Sequence, residues 1–141
     1  MILVDSNIVI DIFTNDPRWM RWSRASVEAA TATERTAVNQ VVIAEVAPQF
    51  ASLQLFLDRL KLVEVEIADL TNDAAYLAGM AFLKYRRRKQ SGMEMTKSII
   101  ADFLIGGQAQ VLGAAILTRD PRFYRTYFPS VPLITPGKAE S

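Results

Sequence analysis

Short apolar runs alternate along this chain with segments of helical periodicity, and that alternation constrains the fold more than anything else in the sequence. Residues 2–4 (Ile-Leu-Val) read as a buried strand, followed by a short helix from Ser6 or Asn7 to about Phe13. Asp16-Pro17 opens a second helix over about 17–31, and 36–39 is a second strand. A helix over 40–47 breaks at Pro48. Another follows over 49–60, with Phe50, Leu53, Phe56, Leu57 and Leu60 at helical spacing. Across 62–67, Val63, Val65 and Ile67 alternate with Glu64 and Glu66, the pattern of a half-exposed edge strand. Thr71 caps a long helix to about Lys89, a loop over 90–96 contains Gly92, and a helix spans 98–112. Strand 114–117, a helix started by Asp120-Pro121 and strand 131–134 complete the pattern. Such alternation predicts an α/β fold with a parallel, doubly wound sheet and right-handed crossovers. With 141 residues and no repeat, linker or low-complexity stretch, one domain over 1–141 is expected.

Composition then narrows the chemistry. Half the residues are hydrophobic and 22% are charged, which suits a globular chain rather than a disordered one. No apolar run approaches the roughly 20 residues of a membrane span, and Met1 leads straight into a strand rather than a basic leader. A cytoplasmic location without membrane attachment is the expectation. There is no cysteine, so thiolate zinc sites and disulfides are excluded. There is no histidine either, which removes imidazole acid–base catalysis, imidazole metal sites and Ser-His-Asp machinery. Any metal held by side chains must be held by oxygen, favouring Mg²⁺ or Mn²⁺.

Four acids stand at the ends of, or inside, apolar runs: Asp5 after Met-Ile-Leu-Val, Glu45 in Val-Val-Ile-Ala-Glu, Asp102 in Ile-Ile-Ala-Asp-Phe-Leu-Ile, and Asp120 after Ile-Leu-Thr-Arg. In doubly wound sheets ligands bind beyond the carboxyl ends of the strands, so the four can converge on one cation. Asp102 is the most telling, because its helical neighbours Ser98, Ile99, Ile105 and Gly106 include no base. A buried, unpaired carboxylate costs several kcal/mol unless it protonates, hydrogen-bonds or binds a metal. Each acid also has a plain alternative: an early-turn Asp at Asp102, an exposed helix glutamate at Glu45, a helix cap at Asp5, an Asp-Pro helix start at Asp120. With these four set aside, sixteen basic residues face eleven acids, a surplus that suits a polyanion. Clustering also implies that Asp5→Asn or Asp102→Asn raises stability in metal-free buffer.

The segments Ile2-Leu-Val-Asp-Ser-Asn-Ile, Val42-Ile-Ala-Glu-Val, Ile100-Ala-Asp-Phe-Leu-Ile-Gly and Ile116-Leu-Thr-Arg-Asp-Pro-Arg-Phe, in that order, resemble the signature of PIN-domain proteins of the VapC toxin family. The resemblance covers essentially the full length. It implies a PIN-like three-layer α/β/α domain with a central parallel sheet of four to five strands. It also implies a Mg²⁺- or Mn²⁺-dependent endoribonuclease that leaves a 5′-phosphate and a 3′-hydroxyl. Asp5, Glu45, Asp102 and Asp120 are then the catalytic, metal-holding acids, with Asn7 and Thr118 orienting ligands or substrate. A cognate VapB-type antitoxin and a homodimer are the implied partners, beside RNA. Gly106-Gly107 departs from the family's more usual Gly-Ala or Ala-Ala, and close packing on a neighbouring helix would account for it.

Arg86, Arg87, Arg88 and Lys97 are candidate RNA-backbone contacts, as are Arg119 and Arg122 beside Asp120; ordinary solvated surface is the alternative. Trp19 and Trp22 read first as core, second as a groove for an antitoxin segment. Phosphotransfer domains of similar fold fit poorly: a haloacid-dehalogenase-like phosphatase needs an Asp where Asn7 stands, and a receiver domain needs acids where Ser6-Asn7 stand. A non-catalytic RNA-binding or assembly module that keeps the fold is the remaining alternative.

Overall fold

The computed structural model describes residues 1–88 and 99–137. The expected loop over 90–96 and Lys97 lie outside the described residues. Five strands, β1 (Ile2–Val4), β2 (Thr36–Val38), β3 (Glu66–Ile67), β4 (Ala115–Leu117) and β5 (Leu133–Ile134), form one parallel sheet in the order β3-β2-β1-β4-β5. Central β1 registers Leu3 against Ala37 on one side and Ile116 on the other, and is buried on both faces. That is why its sequence is apolar without alternation.

Helices α1 (Ser6–Phe13), α2 (Met20–Thr33), α3 (Gln40–Val46), α4 (Leu53–Leu62), α5 (Asn72–Arg88), α6 (Ile99–Leu112) and α7 (Arg122–Tyr127) flank the sheet. No single helix among the described residues is long and apolar enough to cross a membrane. Most boundaries follow capping chemistry. Asn39 accepts from the N–H groups of Val41 and Val42 to start α3, Ser52 accepts from Leu55 N to start α4, and Thr71 accepts from Ala74 N. Around Pro48 the helix tightens into a 3-10 turn, Ala47–Gln49, and α4 restarts only at Leu53, later than periodicity implies. The edge strand is also shorter than its alternation implies. The N–H groups of Glu64 and Val65 close a turn onto Lys61 and Leu60, with Glu64 at φ 60°, leaving only Glu66–Ile67 to pair.

Helix α6 runs through the interior, packed on α5, and its glycines are the points of closest approach. A Cβ on Gly107 would stand 2.7 Å from the Ala74 carbonyl, and one on Gly106 would overlap the Phe128 ring. The roughly 1 kcal/mol that each helical glycine costs relative to alanine is therefore spent on seating this helix against its neighbours. The seating matters because α6 carries Asp102.

Candidate metal and active site

Strand β1 has its successors on both sides, β2 one way and β4 the other, so the sheet's order diverges at the carboxyl end of β1. A crevice opens at such a point, and Asp5 stands in it, 5% exposed. Its Oδ1 accepts from Ser6 N at 2.7 Å, capping α1, and its Oδ2 accepts from Thr118 Oγ1 at 2.8 Å and the Tyr124 hydroxyl at 3.1 Å. Burial pushes the Asp5 pKa above the ordinary carboxylate range; the donors Thr118, Tyr124 and Ser6 N oppose this, and the charge of Glu45 adds to it. The capping role and the site role of Asp5 thus coexist in one side chain.

Thr118, fully buried at the end of β4, uses all of its hydroxyl: it donates to Asp5 and accepts from Asn7 Nδ2 at 3.3 Å and Asp120 N at 3.0 Å. Asn7 Oδ1 in turn accepts from Arg119 N at 3.2 Å. These bonds tie the chain after β1 to the chain after β4. On the other side, Ser6 Oγ donates to Glu45 Oε1 at 2.5 Å, linking α1 to α3. Beneath it, buried Asn39 donates to Gln108 Oε1, and Gln108 donates to the carbonyls of Ala68 and Asp69. That polar relay fixes α3, which carries Glu45, relative to α6, which carries Asp102.

Asp102 is half-buried in the first turn of α6, and its pKa is raised to about 7 by burial and then by the charges of Asp5, Glu45 and Asp120. The Tyr124 hydroxyl, whose one proton goes to Asp5, is pushed well above its ordinary pKa by burial and by both aspartates. Asp102 therefore feels the charge of the other three predicted acids, and among the described residues no ion pair reaches any of the four. Asp120 is exposed and does not start α7: Pro121 precedes that helix and no side-chain cap forms. Its ordinary explanation as an Asp-Pro cap falls away. Glu45 is exposed as well. Yet among the described residues no three acids stand at the mutual spacing of ligands around one ion. The donor chemistry, four carboxylates with no imidazole, thiolate or neutralising base, fits a hard divalent cation.

Several residues in and around this site escape sequence reasoning. Tyr124 and Ser6 are two, and Asp11 is the third. Asp11 is 1% exposed and accepts from Arg119 Nε at 2.6 Å, Arg119 Nη2 at 2.8 Å and Ser23 Oγ at 2.7 Å. The Arg119 guanidinium also lies over the Trp19 ring, 5.1 Å from its centroid. Arg119, expected at the substrate, is thus committed to a buried ion pair. Arg86, Arg87 and Arg88 are exposed at the end of α5, and Arg122 is exposed at the start of α7, while Lys97 lies outside the described residues. Asp11 follows Ile8-Val-Ile, so the criterion that picked the four site acids, a carboxylate in an apolar run, would have picked it too.

A family model described as the PIN domain matches residues 2–129. No curated protein sequence matches the chain. Among solved structures it is similar to VapBC2 from Rickettsia felis bound to a promoter DNA fragment, at 17% identity and TM-score 0.71, covering 97% of this chain and 100% of that one. A toxin–antitoxin complex from Klebsiella pneumoniae is similar at 22% identity and TM-score 0.67, covering 97% and 98%. DNA-bound VapBC from Salmonella typhimurium is similar at 19% identity and TM-score 0.64, covering 95% and 96%. At these identities the likeness is one of fold.

Proposed function

Because this chain belongs to the PIN-domain family, we propose that it is a divalent-metal-dependent endoribonuclease acting as the VapC-type toxin of a type II toxin–antitoxin pair. The observation that carries the reading is the Asp102 carboxyl, pushed to about 7 by burial and by three further acids, with no ion pair to offset them among the described residues. A purely structural carboxylate would have been given a partner, as Asp11 was.

Asp5, Glu45, Asp102 and Asp120 are the residues that would hold Mg²⁺ or Mn²⁺; when bound, the cation supplies activation of water and neutralisation of charge on the phosphate. Thr118 and Tyr124 keep Asp5 oriented and favour its charged form. Ser6 holds one oxygen of Glu45 toward α1. Asn7 and Thr118 fix the backbone on either side of Arg119, which would help to present Asp120 to a cation. Exposed Arg86, Arg87, Arg88 and Arg122 provide positive charge for an RNA backbone. Hydrolysis to a 5′-phosphate and a 3′-hydroxyl needs neither a 2′-hydroxyl nucleophile nor a histidine.

The toxin reading is supported by fold likeness to solved toxin–antitoxin complexes over nearly the whole of both chains. A VapB-type antitoxin, a homodimer and a cytoplasmic location belong to the same proposal. A second reading, a non-catalytic RNA-binding module, is favoured by one observation: the lack, among the described residues, of three acids at ligand spacing. The purified chain incubated with end-labelled structured RNA separates the two. Nuclease action predicts fragments that require Mg²⁺ or Mn²⁺ and vanish on chelation or in Asp102→Asn. Intact RNA at millimolar metal would sink the nuclease and leave the binder.

A further inference from the structure

A cleft of about 490 Å³ opens between the end of α5 and α7, lined by Tyr85, Arg88, Arg122, Phe123, Thr126 and Tyr127. Phe123 and Tyr127 are only half-buried, whereas Arg88, Arg122 and Thr126 are exposed. The Arg88 guanidinium lies 6.0 Å from the centroid of Tyr127. Among the described residues no carboxylate pairs with either arginine of the cleft. Aromatic faces with guanidinium groups beside them suit a flat, polarisable ring that carries a negative charge next to it.

The cleft is joined to the acidic crevice by short covalent and packing links. Phe103, one residue past Asp102, meets Phe123 edge-on at 4.7 Å and Tyr127 at 5.3 Å. Tyr124, next to Phe123, donates to Asp5, and Arg122 is two residues past Asp120. One short helix therefore presents a hydroxyl to the acids and aromatic rings to the cleft. We propose that this cleft is a nucleobase subsite: one unpaired base of the RNA stacks on Phe123 and Tyr127, while Arg88 and Arg122 hold the adjoining phosphates. The inference rests on the ribonuclease reading and adds to it where the strand is gripped.

Binding of a labelled single-stranded RNA to the full chain, measured by fluorescence anisotropy with chelator present, tests this. An abasic residue is placed at each position of the RNA in turn. Stacking predicts that one position loses about fivefold or more in affinity when the base is removed. Phe123→Leu, which keeps apolar volume against Phe103, should weaken intact RNA by a similar factor and abolish that abasic penalty. Should Phe123→Leu not fold, the exposed variants Arg88→Gln and Arg122→Gln carry the test. Each should weaken intact and abasic RNA alike and reduce the salt dependence of log K by about one.

An abasic penalty absent at every position, or unchanged in Phe123→Leu, overturns the subsite. So does a salt dependence that neither arginine variant alters. Cleavage of the same RNA with Mn²⁺ is scored separately. Cleavage without an abasic penalty removes the subsite and keeps the nuclease, whereas the penalty without cleavage keeps the subsite and removes the nuclease. A chain that neither binds nor cuts RNA loses both.

Discussion

Asp11 and Asp102 are carboxylates set in helices packed on the same sheet, and the molecule surrounds them in opposite ways. Asp11 is fully buried and receives two guanidinium N–H groups from Arg119 and a hydroxyl from Ser23. Asp102 is half-buried, pairs with no base among the described residues, and has its pKa raised to about 7 first by burial and then by the charges of Asp5, Glu45 and Asp120. The chain neutralises an acid where only structure requires it. At the crevice no ion pair among the described residues compensates the charge, which is the state a cation-binding site needs and a folding core avoids.

The comparison is broken most directly by activity. Asp102→Asn and Asp5→Asn should each reduce metal-dependent RNA cleavage by about a hundredfold or more, the scale on which loss of a key electrostatic group at a reacting centre is felt. Asp11→Asn should act chiefly on stability instead. Cleavage retained within a few-fold by Asp102→Asn would put the crevice on the same footing as the buried pair.

Stability should show the reverse order. Removing one partner of a buried ion pair costs about 3–5 kcal/mol, and the partial exposure of Arg119 brings this toward about 2–4 kcal/mol for Arg119→Ala. Urea unfolding of Arg119→Ala checks this. A loss under about 1 kcal/mol would show that the pair holds little.

Asp102→Asn should do the opposite in metal-free buffer, and pH gives the sign. Folded Asp102 keeps its proton until about pH 7, whereas the unfolded chain releases it near 3.8. Unfolding between those values releases a proton, so wild-type stability falls as pH rises from about 4 to 7 and then levels off. The asparagine variant lacks that fall. A full shift of this size corresponds to about 4 kcal/mol; the partial exposure of Asp102 reduces the expected gain to about 1–2 kcal/mol above pH 7, a few degrees in Tm. Thermal melts of both chains at pH 4.5 and 8 (about the two ends of the window) should differ only at the higher value.

Asp5 sharpens the contrast in the opposite direction. Mutual repulsion alone implies that Asp5→Asn stabilises as well. Hydrogen bonding acts against this, because Ser6 N, Thr118 and Tyr124 all donate to the carboxylate and an asparagine amide would turn a donor toward one of them. The two effects oppose, and Asp5→Asn should be neutral to destabilising by about 1–3 kcal/mol in the same melts. A clear gain in Tm would mean that charge outweighs hydrogen bonding even there.

How much of this was legible in the sequence varies with the distance over which each interaction acts. The parallel sheet and the order of elements follow from local periodicity, while the four acids are singled out by their apolar neighbours in sequence, and Glu45 and Asp120 prove exposed. Gly106 and Gly107 hinted at close helix packing, and Gly107 against Ala74 bears that out. Arg119 with Asp11, and Tyr124 with Asp5, join residues more than a hundred positions apart and leave no periodic trace. Nor does hydrophobic spacing reveal how a turn at Glu64 shortens β3, since the alternating pattern persists whether or not the backbone pairs.

Calorimetric titration of the metal-free chain with Mn²⁺ at several pH values addresses the crevice itself. Saturable binding that strengthens from pH 6 to 8 (the range about the Asp102 pKa of about 7), releases protons near pH 7, and is lost in Asp102→Asn is the expected result. Absence of saturable binding, or equal binding by Asp102→Asn, would contradict the claim that these acids are left bare to hold a cation.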